Sequence, residues 1–281
     1  MSASNRPKRS KRFVSILATL GCGYLLLLAC GCALQRRLLY FPTKLDVQTA
    51  KAFAAQQGFS PWPNPAGEII GWKISANLPS IGSVLVVHGN AGCALDRAYI
   101  ARPIHDAGGL DVYVMEYPGY GTRQGSPSKT SWLQAAEAAF AELPPDKPIY
   151  VVSESIGAGA AAHLARTHAS KISGMVLFVP FDHLPSLAQS KMPLLLPYFF
   201  LADRYAPAAD MKAYLGPVKV VLGERDQIIP PKFGKRLFAA CAGPKELQII
   251  PGAGHNDVAE QPAVWWRSVF EFWRQRSGRR E

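Results

Sequence analysis

The sequence predicts an α/β fold: a mostly parallel central sheet flanked by helices, with a small cap inserted late in the chain and one apolar helix ahead of it. Three observations lead there. From residue 67 onward, short β-branched runs alternate with helical patterns of ordinary length, the layout of βαβ units. The apolar run Ile149–Val152 stops abruptly at Ser153-Glu154-Ser155-Ile156-Gly157 and gives way at once to the Ala/Gly-rich stretch Ala158–Ala165. That is the pattern of a nucleophile elbow, a sharp strand-to-helix turn that lifts one serine hydroxyl clear of the sheet. Finally, chemically useful residues recur just past the strand ends, where sites form in such sheets.

The chain opens with a basic n-region, residues 1–12, holding Arg6, Lys8, Arg9, Lys11 and Arg12. The uncharged, Leu-rich stretch 13–34 follows. As a helix it would reach about 33 Å, enough for a hydrocarbon core of about 30 Å. More Lys and Arg precede the stretch than directly follow it, which predicts a cytoplasmic N-terminus and a main domain on the periplasmic or extracellular side. Two versions compete: an uncleaved signal anchor, or a cleaved signal in which Leu27-Leu28-Ala29-Cys30 resembles a lipobox and Cys30 carries the lipid. Of the net charge of +11, +8 lies in residues 1–44, so the main domain is only mildly basic and nucleic acid is not expected as a partner. Cys22, Cys30 and Cys32 sit in or beside the apolar segment, leaving Cys93 and Cys241 in the main domain. Neither shows metal-ligand spacing, so free thiols, no metal and no cofactor are expected.

Residues 35–66 read as a linker leading into the domain, with Tyr40-Phe41-Pro42 suited to a bilayer interface and a Pro/Gly-rich loop over Phe59–Gly67. The domain proper spans 67–281. Strands are expected at Gly67–Ser75, Ser83–Val87, Asp111–Tyr117, Ile149–Val152, Met175–Val179, Val218–Leu222 and Leu247–Ile250. Helices are expected at Leu95–Ala107, Thr130–Leu143, Ile156–His168, Lys232–Cys241 and Ala263–Arg276. The segment 181–214 is too long for a plain loop. Its run from Met192 to Leu201, apolar and broken by prolines, reads as a cap whose Leu194, Leu195 and Phe199 line an apolar pocket. A helical excursion packed on the domain and a membrane contact are the other readings.

The candidate nucleophile is Ser155, which has Gly157 two residues after it and the small Ser153 two before; centring the motif on Ser153 would place Val151 at a position that must be small. A serine hydroxyl needs a base beside it. His255, in the Gly-rich loop after the last strand, is the best placed of the six histidines. Asp226, past Val218–Leu222, would orient the imidazole; Asp182 is the rival acid, and Asp257 reads as a cap for the next turn. The oxyanion would be met by the backbone N–H groups of Ile156 and Asn90, with His88, Gly89 and Tyr120 shaping the substrate site.

Together these residues resemble the α/β-hydrolase superfamily, and more narrowly the Bem46/ABHD-like serine hydrolases, over about 70–281. The resemblance rests on Leu34 to Thr43, His88-Gly89-Asn90-Ala91-Gly92, Tyr117-Pro118-Gly119-Tyr120-Gly121, Gly125-Ser126-Pro127-Ser128, the Glu154-Ser155-Ile156-Gly157 elbow, Asp226 and His255-Asn256. It departs from the group at Ser153, in place of the first elbow glycine, and at Arg123, in place of a serine near the site mouth. It implies a membrane-anchored serine hydrolase of carboxylesterase, lipase or thioesterase type, acting on lipophilic acyl substrates through an acyl-enzyme. A serine aminopeptidase on the same fold, and a catalytically silent envelope binding or assembly protein, are the alternatives.

Overall fold

A computed structural model of the chain describes residues 7–77 and 79–277. Residues 1–6 of the expected n-region and the last four of the expected domain lie outside the described residues. In order the elements are α1 (Pro7–Leu39), α2 (Val47–Gln56), β1 (Ser60–Pro63), β2 (Ile69–Ile74), β3 (Gly82–Val87), α3 (Ala98–Ala107), β4 (Leu110–Met115), α4 (Lys129–Ala141), β5 (Ile149–Glu154) and α5 (Ala158–Thr167). There follow β6 (Ile172–Phe178), α6 (Leu184–Lys191), α7 (Pro197–Phe200), α8 (Pro207–Asp210), β7 (Val218–Gly223), α9 (Pro231–Ala240), β8 (Lys245–Ile250) and α10 (Ala263–Ser277). The strands form one sheet in the order β1-β2-β4-β3-β5-β6-β7-β8, antiparallel across β1/β2 and β2/β4 and parallel elsewhere. This is the α/β-hydrolase fold expected from the sequence.

The alternation of side chains along each strand divides the core in two. Leu85, Val87, Met115, Val151, Met175, Leu177 and Val220 face one way, onto α4, α5 and α9. Val84, Val86, Val112, Val114, Val152, Val176 and Val221 face the other, with residues of α2, α3 and α10. Covered on both sides, β3 is buried at every position and reads as an unbroken apolar run rather than an alternation.

Two elements go beyond the linker expected over 35–66. Asp46 caps α2 by accepting from the N–H groups of Gln48 (3.0 Å) and Thr49 (2.9 Å), and Ala50 and Ala54 bury one face of the helix. The Pro-rich segment read as loop holds β1, which pairs with β2 through Ser60↔Lys73 and Trp62↔Gly71. Pro61 and Pro63 cannot donate to a ladder and are tolerated because β1 is an edge. The 181–214 insertion also divides. Residues 184–201 carry exposed apolar groups, whereas Tyr205, Met211 and Tyr214 are fully buried against the domain.

The turn from β5 into α5 is tight. Ser155 has φ +54°, a left-handed conformation that a non-glycine residue adopts at a cost of about 1–2 kcal/mol. A Cβ added to Gly157 would run into the carbonyl oxygens of Val87 and His88 at the end of β3, so this position takes glycine alone. The two parallel neighbours β3 and β5 send their chains to opposite sides, toward β4 and β6, and so leave a crevice between the loops at their C-terminal ends.

Cys93 and Cys241 are free and buried. Burial, helped by Glu116 and Asp96, pushes the Cys93 thiol up to about 12. Burial also raises Cys241, to about 11, against the pull of Lys245. Because the thiolate is the reactive form, both should resist iodoacetamide at pH 8 in folded protein and react once it is unfolded, as peptide mass analysis would read. The elbow strain is expected to appear as a stability difference between two variants that both lack the hydroxyl. Ser155→Gly should be more stable than Ser155→Ala by about 0.5–1 kcal/mol in denaturant unfolding, since only glycine occupies this φ without strain.

Candidate active site

Three loops at the C-terminal edge of the sheet bring together side chains far apart in sequence. Ser155 tops the elbow after β5, Asp226 lies just past β7, and His255 lies past β8. The Ser155 Oγ is 3.0 Å from His255 Nε2, and His255 Nδ1 is 2.7 Å from Asp226 Oδ2. A carboxylate only accepts, so the Nδ1 proton points to Asp226 and Nε2 is left free to accept from the serine hydroxyl. Asp226 is itself held: its Oδ1 accepts from the N–H groups of Ile228 and Ile229, both at 2.8 Å. The rival acids are otherwise engaged. Asp182 forms a two-pronged pair with Arg236 at 2.6 and 3.1 Å, and Asp257 accepts from the N–H of Gly254 at 2.8 Å, as a local cap does.

These residues open onto a cavity of about 690 Å³. Gly89, Asn90 and Ile156 lie on its wall with Ser155 and His255. The Asn90 side chain is turned from the serine toward the chain leaving α1. It donates to the Leu39 carbonyl and accepts at Oδ1 from the N–H of Phe41 (2.9 Å) and from the Tyr120 hydroxyl (2.9 Å). The loop is thereby fixed beside the cavity.

His88 and Tyr120, expected at the substrate, stand behind that wall instead. Both are fully buried. His88 sits between the Gly89 carbonyl (Nδ1, 2.7 Å) and Glu116 (Nε2 to Oε1, 3.2 Å), so it braces the loop and does not face the cavity. The cap residues are displaced too. Leu194 and Phe199 are 72% and 71% exposed and point outward, and Leu195 packs toward Gly31 of α1. The lining from the cap comes from α6, through Leu184, Leu187 and Ala188, and from Met192 just beyond it. Arg123 does not reach the cavity mouth: it pairs with Glu68 (3.3 Å) and donates to the Glu116 carbonyl (2.9 Å), tying the loop after β4 to the edge of the sheet. Cys30 is exposed within the unbroken helix α1.

Sequence reasoning missed two parts of the wall. One is a charged cluster beside Ser155: Glu154 accepts from the Tyr99 hydroxyl (2.6 Å) and from the N–H of Gly89 (3.2 Å) and pairs with Arg97 Nε (3.0 Å). Burial, then the Glu154 carboxylate, pushes the Tyr99 phenol far above its usual range. Burial opposes charge on Arg97, but Glu154 together with Tyr99, Asp96 and Cys93 outweighs it and raises the guanidinium further. A glutamate closing an apolar strand beside the serine was the available clue. The other part is Leu38, Leu39 and Phe41, contributed by the end of α1, for which nothing local in the sequence speaks. Among the described residues no group of three or more His, Cys, Asp or Glu side chains is placed to hold a metal ion.

A family model described as the alpha/beta hydrolase fold matches residues 82–211. An uncharacterised Mycobacterium tuberculosis protein, Rv2307c, is 32% identical over 257 residues, covering 89% of each chain. The protein bem46 of Schizosaccharomyces pombe is 28% identical, over 63% of this chain and 62% of its own. The lysophosphatidylserine lipase ABHD12 of Xenopus tropicalis is 25% identical, over 74% of this chain and 60% of its own. Among solved structures, the Pyrococcus furiosus esterase Pf2001 superposes with a TM-score of 0.63 at 18% identity, over 85% of this chain and all of its own. The chain therefore belongs to the α/β-hydrolase superfamily, and it is similar to bem46 and ABHD12.

Proposed function

We propose that the protein is a membrane-anchored serine hydrolase that cleaves carboxylic esters or thioesters of lipophilic acyl groups. The observation that carries this reading is the unbroken hydrogen-bonded line from Ser155 through His255 to Asp226. Ser155 Oγ attacks the acyl carbonyl as His255 Nε2 takes its proton, and Asp226 stabilises the imidazolium that forms. The carbonyl π electrons move onto oxygen, and the backbone N–H groups of Ile156 and Asn90 receive that charge. Collapse expels the alcohol or thiol, which takes the proton from His255. Water then repeats the sequence on the acyl-enzyme and restores Ser155.

The wall supports this substrate class. Leu38, Leu39, Leu187, Met192 and Ile229 offer an acyl chain a dry surface. The helix α1 is long and apolar enough to cross a membrane, with a mean hydropathy of 2.2 over its best window. The relative ABHD12 is named for a lipid substrate. The charge pattern around residues 13–34 favours a catalytic domain on the non-cytoplasmic side. An aminopeptidase would need a free carboxylate for the substrate amine. Glu154, the acid on the cavity wall among the described residues, is paired to Arg97.

A fluorophosphonate should label the purified protein, and labelling should vanish in Ser155→Ala and fall sharply in His255→Ala. Folded wild-type protein that takes no label, or label that survives Ser155→Ala, would overturn the reading. With p-nitrophenyl esters, Ser155→Ala should lower kcat by roughly 10⁶ and Asp226→Asn by roughly 10⁴, the scales at which a triad acts as a unit.

A further inference from the structure

We infer that the groove between the last turns of α1 and the cap is an acyl-chain site, which receives the chain of a bilayer lipid sideways from the membrane and leads its carbonyl to Ser155. The inference rests on the hydrolase reading above and adds the path by which the substrate is held.

Beside the catalytic cavity lies a second, smaller one, lined by Gly31, Cys32 and Gln35 of α1 on one side and by Leu195, Pro197 and Phe200 on the other. Leu38, Leu39, Ala188 and Met192 line both cavities, so the groove adjoins the catalytic cavity. On α1, Leu28, Gly31, Gln35 and Leu39 are partly covered while their neighbours are exposed. Spacings of three and four residues put those four on one helical face, the one turned to the cap. At Gly31 the absent side chain lets the cap come close to α1, since a Cβ there would already stand 3.3 Å from Leu195 Cδ2.

The groove is held by polar clamps at its edge. Arg36 Nε pairs with Asp203 at 3.1 Å, and the N–H of Ala202 donates to Gln35 Oε1 at 2.7 Å. Asp203 is nearly buried and also accepts from the N–H of Lys129 at 2.9 Å, which ties the clamp to the start of α4. The helix and cap are thus fixed against each other by the domain itself, and the site exists before any ligand arrives.

Depth and chemistry name the occupant. Arg36 and Arg37 are the first charges after the apolar stretch and mark its polar boundary. Gly31 lies five residues earlier, about 7.5 Å deeper at 1.5 Å per residue, which places the outer end of the groove at hydrocarbon depth. The cap beside it presents Leu194 and Phe199 outward, with Phe200 49% exposed, as a surface in contact with acyl chains would. No charged side chain lines the groove among the described residues, and the Gln35 amide is spent on Ala202 and on the Cys32 carbonyl (2.8 Å). A peptide would leave its backbone groups unpaired there, whereas a hydrocarbon chain would not.

The test uses the full chain in phosphatidylcholine vesicles and a hexadecyl fluorophosphonate with a diazirine at the end of its chain. Once attached to Ser155 and illuminated, the probe should crosslink within Gly31–Leu39 or Leu195–Leu201. A probe that attaches but crosslinks only to Phe181–Leu187 or Ile228–Ile229 overturns the groove. One that never attaches overturns the hydrolysis on which the groove rests. As a second measurement, Gly31→Leu should fill the outer end and lower the ratio of kcat/KM for hexadecanoyl over butanoyl p-nitrophenyl ester at least tenfold; an unchanged ratio would count against the site.

Discussion

The close crossing of the elbow over the end of β3 is the constraint on which the rest of the site depends. Gly157 lies against the carbonyl oxygens of Val87 and His88, and Ser155 is held at φ +54° to let β5 turn directly into α5. The turn lifts the Ser155 hydroxyl to the cavity while bringing the loop after β3 alongside it. Strain of this kind persists only where surrounding structure over-determines it. Here the surroundings are two largely buried central strands, paired in parallel from Ser83↔Ile149 to Val87↔Ser153. Ser153, fully buried in that pairing, has a side chain small enough for the crossing, so the missing first glycine of the elbow costs little space.

The loop over this crossing is stabilised from behind by buried charge. Glu116 meets His88 Nε2 and the N–H of Ala94, and the Tyr117 hydroxyl donates to the His88 carbonyl at 2.9 Å while its ring stacks on Trp132 with centroids 3.6 Å apart. On the cavity side, Glu154 joins Gly89, Tyr99 and Arg97 into one network. Buried ions are poor sources of net stability, but removing one partner leaves the other uncompensated, so such networks hold a geometry firmly. Both networks converge on the backbone of residues 88–91, whose positions matter more than their side chains.

The end of α1 belongs to the site as much as the domain does. Asn90 grips the Leu39 carbonyl and the Phe41 N–H, the chain bridges Pro42 to Gly92 and Lys44 to Gly121, and Leu38 and Leu39 form part of the cavity wall. An apolar helix and a catalytic domain joined by a loose tether would share no such wall. The hydrogen bonds through Asn90 link the exit of the helix to the loop beside Ser155.

Much of this was legible in the chain because it is local and periodic. Buried parallel strands show as short β-branched runs, α5 as a stretch of small residues, and Ser155, Asp226 and His255 each stand just past a strand end, in the order that the elbow implies. The misread elements broke a local rule. The β1 strand contains two prolines, allowed only because it is an edge, and α2 lay in a stretch read as linker, marked by nothing stronger than an aspartate cap. The site contacts were harder still. Whether His88 faces the substrate or braces its loop depends on Glu116, 28 residues away, and whether Leu194 lines a pocket or faces outward depends on where α1 comes to rest. The sequence by itself determined the order of elements and the chemistry at each strand end, because periodicity and turn geometry are properties of neighbouring residues. Only the tertiary structure decided which side chains reach the cavity, because that is set by packing between segments distant in the chain.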